Sequence, residues 1–176
     1  MTLVAMSCLL AVPTRAQNVK AQSKTQKAVP PWVQRGIPNE GHAALEPLIG
    51  TWRVHKSIYG TMGRSPDIPP IISEDITTTR EWVADRHYIQ DTTTGTVEGQ
   101  PYWRRGWLGY SNMDLRYEWV TIDSLNTTMM IYLGKPGTGK KMPIDLSGAF
   151  TDQGVVNEQT VGKSVGMRTV IRIESK

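Results

Sequence analysis

The sequence predicts an antiparallel all-β domain, and three observations carry that prediction. From Ile49 onward apolar residues recur at every second position, the period of a strand with one covered face. The strand-like runs are short, about a dozen residues apart, and separated by turn-forming residues. No stretch sustains helical spacing for three turns. A length of 176 residues, with sixteen Gly and eleven Pro dispersed along it, fits a single domain with many turns.

Taken in chain order, Asn39 is placed to cap a helical turn over GHAALEPL, which Pro47 limits. The first strand follows, with Trp52, Val54 and Ile58 on one face and Arg53, His55 and Ser57 on the other. Trp52 is expected to pack inside the closed end of the sheet. GTMGRSPDIPP reads as a loop, and DITTTREWV and RHYIQDTTT as strands joined at Ala84-Asp85. YWRRGWLGY ends at the turn Ser111-Asn112-Met113-Asp114, which leads into LRYEWVTID. The strand-like runs TTMMIYLG, PIDLSGAFT, VVNEQTV and MRTVIRIES complete a set of eight or nine, the pattern of an antiparallel barrel or sandwich.

The front of the chain differs from this. Residues 1–16, MTLVAMSCLLAVPTRA, read as a secretory signal peptide, with an apolar run from Leu3 to Val12 and small residues at Thr14 and Ala16. That run is too short to span a bilayer, which takes about twenty residues. The expected location is therefore periplasmic or secreted, with no transmembrane span. Cys8 is the sole cysteine, so cleavage would leave no thiol for disulfides, metal sites or nucleophilic catalysis. Residues 17–39 read as a basic, flexible linker, and residues 40–176 as the domain.

The net charge of +4 resides in that leader and linker. Arg15, Lys20, Lys24, Lys27 and Arg35 precede residue 40 without one acid, leaving fifteen basic against sixteen acidic residues in the domain. A domain with that balance lacks the footprint of a nucleic-acid binder. Gly134-Lys-Pro-Gly-Thr-Gly139-Lys140 satisfies the front of a phosphate-binding loop, but Lys141 stands where Ser or Thr is needed and no helix follows. A hairpin turn accounts for it. His42, His55 and His87 show no metal-ligand spacing, and no histidine lies after His87 to serve haem, so no cofactor is expected.

Several stretches together carry a resemblance. GHAALEPLIGTWRV resembles the opening of lipocalin-like barrels, where a short helix leads into a Gly-x-Trp strand, here Gly50 and Trp52. EWVADRHYIQ, GWLGYSNMDLRYEWVTIDSLNTTMM, TGKKMPIDLSGAF and RTVIRI follow in order, and the whole from about residue 40 to 174 resembles exported bacterial proteins of domain-of-unknown-function family 1579. The resemblance implies a lipocalin-like barrel with no agreed activity. It also implies signature residues at Trp52, Arg86, Gln90, Gly109-Tyr110, Asn112, Tyr117 and Asp123. Ile122 departs from the aromatic often found beside Asp123. Such proteins usually continue past the RTVIRI strand, so the barrel here is expected to be open.

Trp52, Arg86, Gln90, Tyr110, Tyr117 and Asp123 are the candidate ligand-binding residues, polar groups that would orient a small apolar molecule in a cavity. The competing reading is that Arg86 pairs with an acid such as Asp123 to staple strands. No residue beside Asp123 is identifiable as a nucleophile or acid partner, so no catalytic residue is assigned. The expected function is binding of a small, largely apolar molecule. The runner-up is an interaction module that uses a free sheet edge, as in an edge-to-edge homodimer; an enzyme comes third.

Overall fold

The computed structural model describes residues 28–58, 69–138, 143–154 and 158–172. The expected leader, the first part of the linker and most of the loop after Ile58 lie outside the described residues. Eight strands are present among them: β1 (Gly50–Ile58), β2 (Ile71–Val83), β3 (Tyr88–Val97), β4 (Gln100–Ser111), β5 (Arg116–Asp123), β6 (Met130–Leu133), β7 (Ile144–Thr151) and β8 (Ser164–Ile171). Each pairs antiparallel with the next, in the order β1 to β8. The sheet is strongly curled into a half-barrel, open between its edge strands β1 and β8. The all-β, open lipocalin-like architecture expected from the sequence is the one observed. VVNEQTV is a correction: its described residues form a single 3-10 turn at Glu158–Thr160, not a strand.

The alternation in sequence becomes the two faces of the sheet. On β3, Ile89, Asp91 and Thr93 are buried, whereas Tyr88 and Thr94 are exposed. Cross-strand pairs Trp82–Ile89, Ile89–Leu108, Leu108–Trp119 and Trp119–Tyr132 carry the concave face around the sheet. Trp52, Val54 and Lys56 alternate onto that face along β1, and the β1–β2 register shifts between Val54 and Lys56, where two steps on β1 meet three on β2, from Ile76 to Ser73.

A short helical segment closes one end. It comprises α1 (Pro31–Arg35), α2 (Glu40–Ala43) and a 3-10 turn at Glu46–Leu48. Asn39 caps α2 as expected: its Oδ1 accepts from Gly41 N at 2.8 Å, and His42 Nδ1 accepts from Asn39 N at 3.1 Å. Leu45 and Leu48 then enter the main core with Ile89, Leu108, Tyr110, Tyr117, Trp119, Ile144 and Leu146. Tyr117 Oη donates to the Gly41 carbonyl at 3.1 Å. A Cβ on Gly41 would come within 2.4 Å of the Tyr110 ring, so only glycine lets α2 lie directly on it. A smaller apolar cluster of Ile76, Val97 and Tyr102 occupies another part of the concave face.

Two expectations change here. The chain is docked before residue 40, because Asn112 Nδ2 donates to the Arg35 and Ile37 carbonyls at 2.8 and 2.9 Å. The end of the presumed flexible linker is thus part of the fold. Trp52 is half-buried and lies outside both core clusters; its indole N–H ties β1 to the Leu48 carbonyl at 2.9 Å. No helix among the described residues is long and apolar enough to cross a membrane.

Leu45 is fully buried beneath the sheet, so Leu45→Ala should lower the unfolding free energy by about 2–5 kcal/mol. Urea denaturation measures this directly, and a loss below about 1 kcal/mol would show that the helical segment is not part of the core.

Candidate functional site

The middle of the concave face is polar. Thr78 on β2 and Thr93 on β3 are fully buried and share a hydrogen bond of 2.7 Å between their hydroxyls. Next along β3 comes Asp91, 3 % exposed. A carboxylate so removed from water needs donors, and it has them. Trp119 Nε1 donates to Oδ1 at 3.1 Å, and the Arg104 guanidinium donates to Oδ2 at 3.2 Å. Arg80 stands opposite Asp91 in the β2–β3 register.

Gly106 makes this arrangement possible. It lies between Asp91 and Thr121 in the register, and a Cβ there would come within 2.2 Å of Asp91 Oδ1 and 2.7 Å of Trp119 Nε1. The bare backbone of β4 lets the carboxylate reach across it to the indole on β5. Arg104 in turn lies 5.1 Å over the Trp119 ring, and Trp119 stacks on Tyr132 at 5.3 Å.

Lys56 enters the same layer from β1, with its Nζ 4.0 Å from the centre of the Tyr102 ring. Burial pushes its ammonium down to about 8; Arg104 adds to the depression and Asp123 opposes it. Burial likewise pushes the Tyr102 phenol up to about 12. The layer therefore joins three cations, Lys56, Arg80 and Arg104, to two acids, Asp91 and Asp123. Asp123 faces Arg104 in the β4–β5 register, while its Oδ1 accepts from Leu125 N and Asn126 Nδ2 at 3.0 and 3.2 Å. Half-buried Met130, Tyr132, Phe150, Val165 and Met167 form an apolar wall of the same concavity on β6, β7 and β8.

Of the six candidate ligand-binding residues, Trp52, Tyr110, Tyr117 and Asp123 share the concave face. Tyr110 and Tyr117 lie in the core beneath α2, and only Asp123 joins the charged layer. Gln90 sits on the outer face opposite Glu81 and Trp107. Arg86 is on the β2–β3 turn, bonded to Glu46 and 4.7 Å over the Trp82 ring, so the suggested staple with Asp123 is not formed. Lys56, Arg80, Asp91, Tyr102 and Arg104 were missed. The signal for them was available: each is a polar or charged residue in register with the inward-facing apolar positions of its own strand.

Further concavities lie outside this layer. A 320 Å³ cavity at the helical end is lined by His42, His87, Tyr110 and Asn112. Burial, then the neighbouring His87, holds the His42 imidazole below its usual value, consistent with its Nδ1 accepting the Asn39 N–H. A 620 Å³ groove runs beside Ile144, Asp145 and Arg168, whose charged groups bond each other at 2.7 and 2.9 Å. Among the described residues no three His, Cys, Asp or Glu side chains gather as metal ligands.

A family model for proteins of unknown function, DUF1579, matches residues 37–176. The chain belongs to that family. The match begins inside the docked segment before α2, which agrees with the observed packing of residues 35–37 on the sheet. No curated protein and no solved structure shows a significant match to this DUF1579 member.

The buried titrating groups set a pH profile of stability. Lys56 titrates at about 8 in the folded chain against an ordinary 10.5, so between those values the unfolded chain binds more protons and stability rises with pH. Tyr102 and Tyr117 are both raised to about 12 from 10.0, so above pH 10.0 the folded chain binds more protons and stability falls. Urea titrations should place maximum stability between about pH 9 and 10, and Lys56→Met should flatten the rising limb. A steady decline from pH 7 upward would contradict the burial of Lys56.

Proposed function

We propose that this DUF1579 protein binds a small molecule with an extended apolar body in the hollow of its half-barrel. The observation that carries the reading is the inward-facing strip Met130, Tyr132, Phe150, Val165 and Met167. These side chains remain half-buried on a concave surface that the open sheet leaves accessible. Apolar concavities with a few convergent polar groups are the usual form of a ligand site. The leader expected over residues 1–16 supports a periplasmic or secreted setting, where the protein would meet its ligand outside the cytoplasm. A second reading, pairing with another chain or a second copy, is favoured by the two edge strands β1 and β8.

A neutral environment-sensitive dye, N-phenyl-1-naphthylamine, tests the first reading. Its fluorescence should rise and saturate with the protein at one site per chain, and Phe150→Asp should abolish the rise by placing a charge on the apolar wall. Absence of any saturable enhancement in the wild-type protein would overturn the reading.

A further inference from the structure

We propose that the ligand of the concave face carries an anionic group, a carboxylate or a phosphate monoester, seated among Lys56, Tyr102 and Arg104. The inference rests on the preceding reading that this face is the binding surface, and it adds the chemical class of the molecule bound.

The argument starts from donors and acceptors. Asp91 Oδ1 and Oδ2 already accept from Trp119 and Arg104, and Asp123 Oδ1 is engaged by its own turn. Arg104 gives one terminal N–H to Asp91, but its buried Nε has no hydrogen-bond partner among the described residues. Tyr102 is 3 % exposed, and its Oη also has no partner among them. Lys56 rests on the Tyr102 ring, and no carboxylate among the described residues lies within ion-pair distance of it. An ammonium and a guanidinium are donors only, and a phenol can donate as well. Donors of this kind, gathered in one layer, call for an acceptor, and two of them are cations, so the acceptor that matches the charge is an anion.

Charge and burial agree with the geometry. The layer holds Lys56, Arg80 and Arg104 against Asp91 and Asp123, one positive charge in excess. Lys56 is faced by Arg104, Asp123 and Tyr102, with Arg80, Asp91 and Tyr132 beyond them. The balance of desolvation and Arg104 against Asp123 leaves the ammonium less favoured than in water. A bound anion supplies the missing counter-charge. Nothing in the packing of the sheet requires a lysine here, since Val54 and Trp52 on the same strand face are apolar. The half-buried strip of β6–β8 lines the same hollow, so the ligand class is an amphipathic acid: an anionic head on the cationic layer and an apolar body along that strip.

Competition against the bound neutral dye at pH 7 tests this with three ligands of one chain length: decanoate, decyl phosphate and decanol. At least one anion should displace the dye about ten-fold more tightly than decanol, the scale of one charge-assisted hydrogen bond. The tighter of the two anions identifies the head group. Tyr102→Phe breaks no hydrogen bond among the described residues and keeps the ring beneath Lys56, whereas Lys56→Met removes the ammonium from that ring; melting curves of both variants report that they remain folded. Each should reduce the preference for the anion over decanol several-fold. The preference should also weaken as pH rises through about 8, where Lys56 loses its proton. Equal displacement by decanol and both anions would overturn the anionic site while leaving the apolar reading intact. Loss of dye binding in the wild-type protein would overturn both.

Discussion

The carboxylate of Asp91 is the constraint around which the sheet is organised. It is buried on the concave face at the centre of the sheet, and a lone charge in that position would be prohibitively unstable. Its two oxygens are therefore met from two further strands, by the Arg104 guanidinium on β4 and the Trp119 indole on β5. The bond to Trp119 crosses β4 and requires it to present no side chain between the two groups, which Gly106 satisfies. One residue thus fixes the approach of three strands and the orientation of Arg104 and Trp119. Trp119 passes the order on by stacking against Tyr132 on β6.

This polar centre divides the interior. On one side the helical segment inserts Leu45 and Leu48 and completes an ordinary apolar core; on the other, Ile76, Val97 and Tyr102 form a small separate cluster. Between them the layer of Lys56, Arg80 and Arg104 lines a hollow whose remaining wall, on β6–β8, is apolar. Burying cations costs stability unless they are compensated, and Asp91 and Asp123 compensate two of the three. Functional surfaces commonly retain such imperfectly balanced groups.

Most of the fold was legible because strand alternation is a strong local signal. Turns at Ser111–Asp114 and the Asn39 cap were equally plain from residue type. The docking of residues 35–37 was not legible, since it depends on Asn112, some 75 residues away in sequence. The β2–β3 turn was legible in place, at Ala84-Asp85, but not in conformation: Ala84, Asp85 and Arg86 all adopt positive φ, at 48°, 51° and 67°, without a glycine among them. That left-handed turn sends Arg86 outward to Glu46 rather than into the barrel. The site itself was only partly read. Gln90 follows inward-facing Ile89 and so must face out, whereas Lys56 and Arg104 share parity with Val54 and Leu108 and must face in. Charged residues in register with apolar ones were the informative positions.

The most direct measurement of the central claim is the unfolding free energy of Asp91→Asn in urea at pH 7. The substitution preserves shape and removes the charge that Arg104 and its neighbours share. A loss of about 3 kcal/mol or more is the result expected if Asp91 organises the sheet. Stability within about 0.5 kcal/mol of wild type, the scale of an ordinary surface substitution, would contradict it.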